Sequence, residues 1–257
     1  MNKKNYCIVG YGSHAKNKII PQLIKSKKNI LGVVSSKKKL PFLKFKNLEE
    51  AILCSNKNTI FIICSPPHIH SKQSKKILNS GLNAFIEKPI FINIQDLKKN
   101  IDISKKKKVF FLENMMFEYS KIYRKFLKIF NKEKKIISDM ELIFTIPAYP
   151  DKTFRSINYN YSINLFDIGC YPISILNKLF HQIDLKIFDI KNFRNLKKEL
   201  IFIKNTNLKK IKILIKIGID KNYENKIILK CKNHKSYTFH PFFYGRKGFR
   251  NIKIKSK

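Results

Sequence analysis

Apolar and polar positions follow two different rhythms along this chain, and the rhythm changes near residue 117. Before that point, short apolar runs end in glycine or a polar turn: "NYCIVG" (5–10), "NILGVV" (29–34), "TIFIIC" (59–64), "NAFIE" (83–87) and "KVFFLEN" (108–114). Such runs suit strands buried on both faces. Between them lie stretches with helical spacing. Residues 14–27 place Ile19, Ile20, Leu23 and Ile24 on one side; 46–53, 70–81 and 93–104 complete the set. Asn47 is a candidate N-cap with Glu50 three positions on, and Gly81 closes the third helix. Strand alternating with helix predicts a parallel sheet with helices on both faces, an α/β domain over residues 1–117.

Beyond it, a helix over 118–131 leads into long period-two runs. In "IKILIKIGI", Ile211, Ile213, Ile215, Ile217 and Ile219 share one face, while Lys212, Leu214, Lys216 and Gly218 share the other. One helical patch, 163–180, interrupts the strands. This predicts an α+β domain over 118–257 with an open, mostly antiparallel sheet.

Charge alters the picture less than its size suggests. The formal net charge of +37 first points to nucleic acid or an anionic surface. Yet the chain has 49 Lys against 5 Arg and 42 Ile against 4 Val. Lys, Ile and Asn have A/T-rich codons, so compositional drift accounts for lysine on every solvated face. Arginine, the residue of bidentate base and phosphate contacts, is scarce. The expectation is no specific nucleic acid, with at most salt-sensitive polyanion binding. Cys7, Cys54, Cys64, Cys170 and Cys231 show no C-x-x-C spacing and read as reduced thiols. No apolar run approaches a membrane span or a signal-peptide core. A cytoplasmic protein without membrane contact is expected.

The chemistry begins at Gly10-Tyr11-Gly12-Ser13-His14-Ala15, a G-x-G-x-x-A turn between a predicted strand and a predicted helix. Gly10 makes the turn, Gly12 admits a pyrophosphate, and Ala15 permits close helix packing. The alternative is an ordinary tight turn. At the ribose-reading position an NAD site wants a carboxylate, but the first acidic residue is Glu49. Ser35, Ser36 and Lys37 stand there instead and suit a 2′-phosphate, so NADP(H) is expected over NAD(H). The bland reading is a solvated lysine cluster.

Taken in order, "GYGSHA", "CSPPHIH", "EKP" (87–89), "EN" (113–114) and "LFDIGCYPI" resemble the Gfo/Idh/MocA oxidoreductases, closest to the NADP-dependent nucleotide-sugar 3-ketoreductase and dihydrodiol dehydrogenase-like subgroup. The resemblance implies an N-terminal NAD(P)-binding Rossmann domain. It also implies a C-terminal domain that binds substrate and forms a homo-oligomer through its open sheet. It places Lys88 beside the nicotinamide, where it binds and polarises the substrate oxygen, with Glu87 positioning it; alone, the pair would read as a salt bridge ending a strand. Ser65, Pro66, His70 and Asn114 join the cofactor side. His68 and His70 have no acidic or Cys partner nearby, and no metal is expected.

"FDIGCYPI" departs from the family's more common Asp-x-Gly-x-His by carrying Tyr171. Asp167 and Tyr171, four apart, share a helix face. An ammonium at ~4 Å, with an effective dielectric of ~20, favours a phenolate by up to ~4 kcal/mol. The resemblance therefore makes Tyr171 the proton donor, Asp167 its orienting partner and Arg155 a substrate ligand. The alternatives are a core tyrosine and a structural arginine fork. The activity implied is NADPH-dependent reduction of a cyclic keto-sugar. A sugar or dihydrodiol dehydrogenase is the next reading, and a decayed dinucleotide-binding scaffold the third. The second strand runs almost directly into "LPFLKF", so one family helix is expected to be missing.

Overall fold

A computed structural model describes residues 4–37, 39–147, 161–180, 198–204, 211–219, 222–243 and 251–256; over 161–166, 198–204 and at 219 only the backbone is described. The chain divides into two compact units, Met1–Asn114 and Met115–Lys257.

In the first unit, strands β1 (Asn5–Val9), β2 (Asn29–Val34), β3 (Lys44–Phe45), β4 (Thr59–Ile63), β5 (Asn83–Ile86) and β6 (Phe111–Glu113) form one sheet in the order β3-β2-β1-β4-β5-β6. Every pairing is parallel. Alternate residues of β1 serve opposite faces. Cys7 and Val9 pack with Phe61, Ile77 and Ile86, while Ile8 packs with Ala15, Ile20 and Val33. The predicted two-faced α/β sheet is therefore present.

The helices carry local signatures. Helix α1 (Ile20–Lys25) follows a π-helical turn, Ala15–Ile19. Pro21 lacks the N–H and crowds the preceding turn, which accounts for the wider start. In α2 (Leu48–Leu53) the Asn47 side chain accepts from Glu50 N–H at 2.8 Å, and Glu50 Oε2 reaches back to Lys46 N–H at 2.5 Å. Helix α3 (Pro67–Asn79) starts three residues before the expected 70, because a proline at N1 has its backbone angle already set. Gly81 follows at φ +73°. Helix α4 (Ile94–Lys107) is tied to α3 by buried polar contacts: Ser74 Oγ donates to Asn100 Oδ1 at 2.6 Å. Between β2 and β3 the described residues contain no helix, as expected from "LPFLKF".

The second unit opens with a 3₁₀ turn, Met116–Tyr119, and helix α5 (Lys121–Glu133), capped by Ser120 accepting from Tyr123 N–H. The cap splits the single helix expected over 118–131. Strand β7 (Ile137–Ile146), helix α6 (Tyr161–Leu179) and strands β8 (Lys198–Lys204), β9 (Ile211–Ile219), β10 (Glu224–Cys231), β11 (Ser236–His240) and β12 (Asn251–Lys255) follow. The sheet order is β12-β11-β10-β7-β9-β8, antiparallel except for β7 with β9. Ile211, Ile213, Ile215 and Ile217 turn into the core with Met140, Leu142, Phe144, Ile227 and Leu229. The alternating pattern predicted for this strand holds.

Candidate active site

Parallel register puts the candidate residues of the first unit in one row. Val9 pairs with Val34 and with Ile63, Ile63 with Ile86, and Ile86 with Glu113. One step beyond these pairs stand Gly10, Ser35, Cys64, Glu87 and Asn114. The ladder continues through them: Gly10 N–H donates to Val34 O at 2.9 Å, Cys64 to Val9 at 2.8 Å, Glu87 to Ile63 at 2.9 Å and Asn114 to Ile86 at 2.8 Å. The order reverses between β1 and β4, and the carboxyl ends of strands at such a reversal form the ligand crevice of open α/β sheets.

Gly10 has φ +95°, and a Cβ there would lie 3.1 Å from Ser65 N and 3.2 Å from Cys64 C. Glycine lets the first turn lie against the β4 turn. Gly12 is the opposite case: nothing stands within 4 Å of a Cβ built on it. That open space in front of a helix start fits a pyrophosphate. Ser13 Oγ accepts from Asn17 Nδ2 at 3.0 Å, and Ala15 is fully buried under the helix. On the β2 side Ser35 Oγ accepts from Lys37 N–H at 3.1 Å, Ser36 and Lys37 are exposed, and Lys37 Nζ stands 5.3 Å from the Tyr11 ring centre. A hydroxyl pair and a cation thus border the glycine turn.

Glu87 is 7% exposed. Asn114 Nδ2 donates to its Oε1 at 2.5 Å, and His14 Nε2 lies 3.2 Å from the same oxygen. Burial opposes ionisation, but the His14 imidazole, the Asn114 amide and the Lys88 charge outweigh it and hold the carboxyl below its ordinary range. His14, Glu87 and Asn114, far apart in sequence, form one cluster, and half-buried Lys88 follows on a cis bond to Pro89. Pro66 precedes α3, and Ser65 Oγ donates to Gln73 Oε1 at 2.5 Å.

His70, expected beside the nicotinamide, is 1% exposed. Its ring lies against three main-chain carbonyls, those of Ser65, Pro89 and Ile90. Glu113 was no site candidate in the sequence beyond its place in "EN", yet its Oε1 accepts from Ile90 N–H at 2.8 Å. An acid in the last position of an edge strand was the available signal. Burial raises the Cys64 thiol well above its ordinary value, so it stays protonated in this row.

In the second unit Asp167 and Tyr171 lie one turn apart on α6 and are both buried. The Tyr171 ring packs edge-on to Phe144 at 5.2 Å, with Phe243 at 5.8 Å and Phe117 at 6.0 Å. Pro172, next to Tyr171 inside α6, has no N–H to give to the helix ladder. Phe243 is placed by Asn225, whose Oδ1 accepts from Phe242 and Phe243 N–H at 3.1 and 2.7 Å. Arg155 lies outside the described residues. Among the described residues no helix is long and apolar enough to cross a membrane, and no three His, Cys, Asp or Glu side chains gather as a metal site.

Residues 4–115 match the profile of the Gfo/Idh/MocA group, described as an oxidoreductase family with an NAD-binding Rossmann fold. No curated protein sequence matches the chain. Among solved structures it is similar to the 3-ketoreductase KijD10 from Actinomadura kijaniata in complex with TDP-benzene and NADP. Against a tyrosine-to-phenylalanine variant the TM-score is 0.82 at 16% identity, over 99% of this chain and 82% of that one. Against the unsubstituted protein it is 0.78 at 15% identity, over 99% and 85%. At such identities the likeness is one of fold.

Proposed function

We propose, from the match of residues 4–115 to the Gfo/Idh/MocA oxidoreductase profile, that the chain is an NADPH-dependent reductase of a cyclic keto-sugar, free or nucleotide-linked. The observation that carries this is the cluster at the strand ends: buried Glu87 joins His14 of the glycine turn to the strand that presents Lys88.

The first unit is the dinucleotide domain. Gly10 to Ala15 cradle the pyrophosphate, Ser35, Ser36 and Lys37 face the 2′-phosphate, and Ser65, Pro66 and Asn114 border the nicotinamide end. The nicotinamide, when bound, supplies the hydride. Lys88 polarises the substrate carbonyl through its ammonium, while Glu87 balances the local charge. Tyr171 donates its phenolic proton to the substrate oxygen, and Asp167 orients it. Arg155 holds the distal part of the substrate. The two KijD10 complexes hold NADP and TDP-benzene, which supports the choice of NADPH and of a sugar-like substrate.

The second unit also forms the homo-oligomer, through the sheet face turned away from its core. There Ile143, Leu214 and Ile228 surround Glu141, which pairs with Lys230 at 2.5 Å.

Titration of the protein with NADPH and NADH, followed by the cofactor's fluorescence, tests the reading. NADPH should saturate at lower concentration, and Lys88→Ala should bind it equally while losing turnover on keto-sugars. Turnover retained in Lys88→Ala removes the mechanism. One observation favours a second reading, a dinucleotide-binding scaffold without chemistry: Tyr171 is only 3% exposed among aromatic rings. Saturable NADPH binding with no oxidation across a panel of keto-sugars selects it.

A further inference from the structure

His70 joins two strand ends through one ring. Its Nε2 lies 2.8 Å from Ser65 O in the turn after β4. Its Nδ1 lies 3.1 Å from Pro89 O and 3.2 Å from Ile90 O in the turn after β5. Glu113, from β6, holds the same turn from the other side, at Ile90 N–H. The peptide groups just after Lys88 therefore face the His70 ring at their carbonyls and are held at an N–H by Glu113.

A buried imidazole is costly unless its nitrogens are paired. Burial pushes the His70 pKa down, against the pull of the three carbonyls and Glu87. A neutral ring carries one N–H and can donate to only one of the two turns. Space-filling alone would be better served by an aliphatic side chain. We propose that His70 is a positioning residue for Lys88: by donating to the Pro89 and Ile90 carbonyls it fixes the turn that carries the ammonium, with Glu113 as the second hold. The inference rests on the assignment of Lys88 to the active site, but its test needs neither substrate nor cofactor.

The test is trace acylation of the apo protein with an amine-reactive ester, read lysine by lysine by mass spectrometry, with the other lysines as internal reference. His70→Asn keeps an amide near the Nδ1 position, His70→Gln keeps one near Nε2, and His70→Leu keeps volume alone. Lys88 in His70→Leu should react about fivefold faster relative to the reference lysines, the factor expected for one ordinary hydrogen bond lost. His70→Asn should restore the wild-type rate, whereas His70→Gln should resemble His70→Leu. A merely packing role predicts the reverse order, with leucine the better replacement. An unchanged Lys88 rate in His70→Leu, or a rate in His70→Asn no closer to wild type than in His70→Gln, overturns the proposal. If His70→Leu does not fold, the Asn–Gln comparison decides, together with Glu113→Gln, which should also speed Lys88. Failure of the wild-type protein to bind NADPH is a separate result: it removes the functional reading, and the labelling pattern still decides whether His70 holds the turn.

Discussion

Replacing Glu87 by glutamine removes one charge at nearly constant shape. In the wild type, Oε1 receives the Asn114 amide at 2.5 Å and stands 3.2 Å from His14 Nε2. Glutamine still offers an oxygen to Asn114, so what is lost there is the charged part of the bond. A hydrogen bond to a charged group is worth ~1.5–3 kcal/mol and a neutral one ~0.5–1.5, a difference of about 1 kcal/mol. The His14 side chain is 38% exposed, so its contact is discounted to the range of a solvated pair, ~0–1 kcal/mol. Glu87→Gln should then destabilise the first unit by about 1–2 kcal/mol at pH 7 and lower its melting transition by about 5–10 °C.

The assay is thermal unfolding by far-ultraviolet circular dichroism at several pH values, wild type beside variant. The folded carboxyl titrates below its ordinary 4.5. Its stabilisation is therefore complete above the unfolded-chain value and is lost as the pH falls through the lower folded value. Glutamine does not titrate, so the gap between the two proteins should narrow as the pH falls below ~4.3. A gap of the same size at pH 7 and pH 3, or none at pH 7, refutes the reasoning.

The two glycines of the first turn should respond oppositely. Gly10→Ala meets both the φ of +95° and the Ser65 backbone and should cost about 1–3 kcal/mol in chemical denaturation. Gly12→Ala should unfold like the wild type but bind NADPH more weakly in a fluorescence titration, because its Cβ enters the space proposed for the pyrophosphate. Tyr171→Phe keeps the aromatic packing and removes the hydroxyl; keto-sugar reduction should fall by about 10²–10⁴-fold with NADPH binding unchanged. Lys37→Glu should reduce the preference for NADPH over NADH, measured as the ratio of dissociation constants, and an unchanged ratio excludes Lys37 from 2′-phosphate recognition.

What was legible in the sequence is what a few neighbouring residues dictate. Gly10 and Gly81 announce positive φ, Asn47 with Glu50 announces a helix start, and the isoleucines of 211–217 announce a one-sided strand, because backbone sterics and side-chain period act within a few positions. The order of short motifs sufficed for the fold class and the family resemblance. Helix α3 begins earlier than its apolar spacing predicts because Pro67 fills the first helical position rather than preceding it. The contacts within the candidate site join residues remote in sequence: His14 with Glu87, His70 with Pro89 and Ile90, Glu113 with Ile90. They exist because parallel register sets Val9, Ile63, Ile86 and Glu113 side by side. Register depends on how whole strands and helices pack, so it belongs to the tertiary structure, and with it the burial of His70 among three main-chain carbonyls.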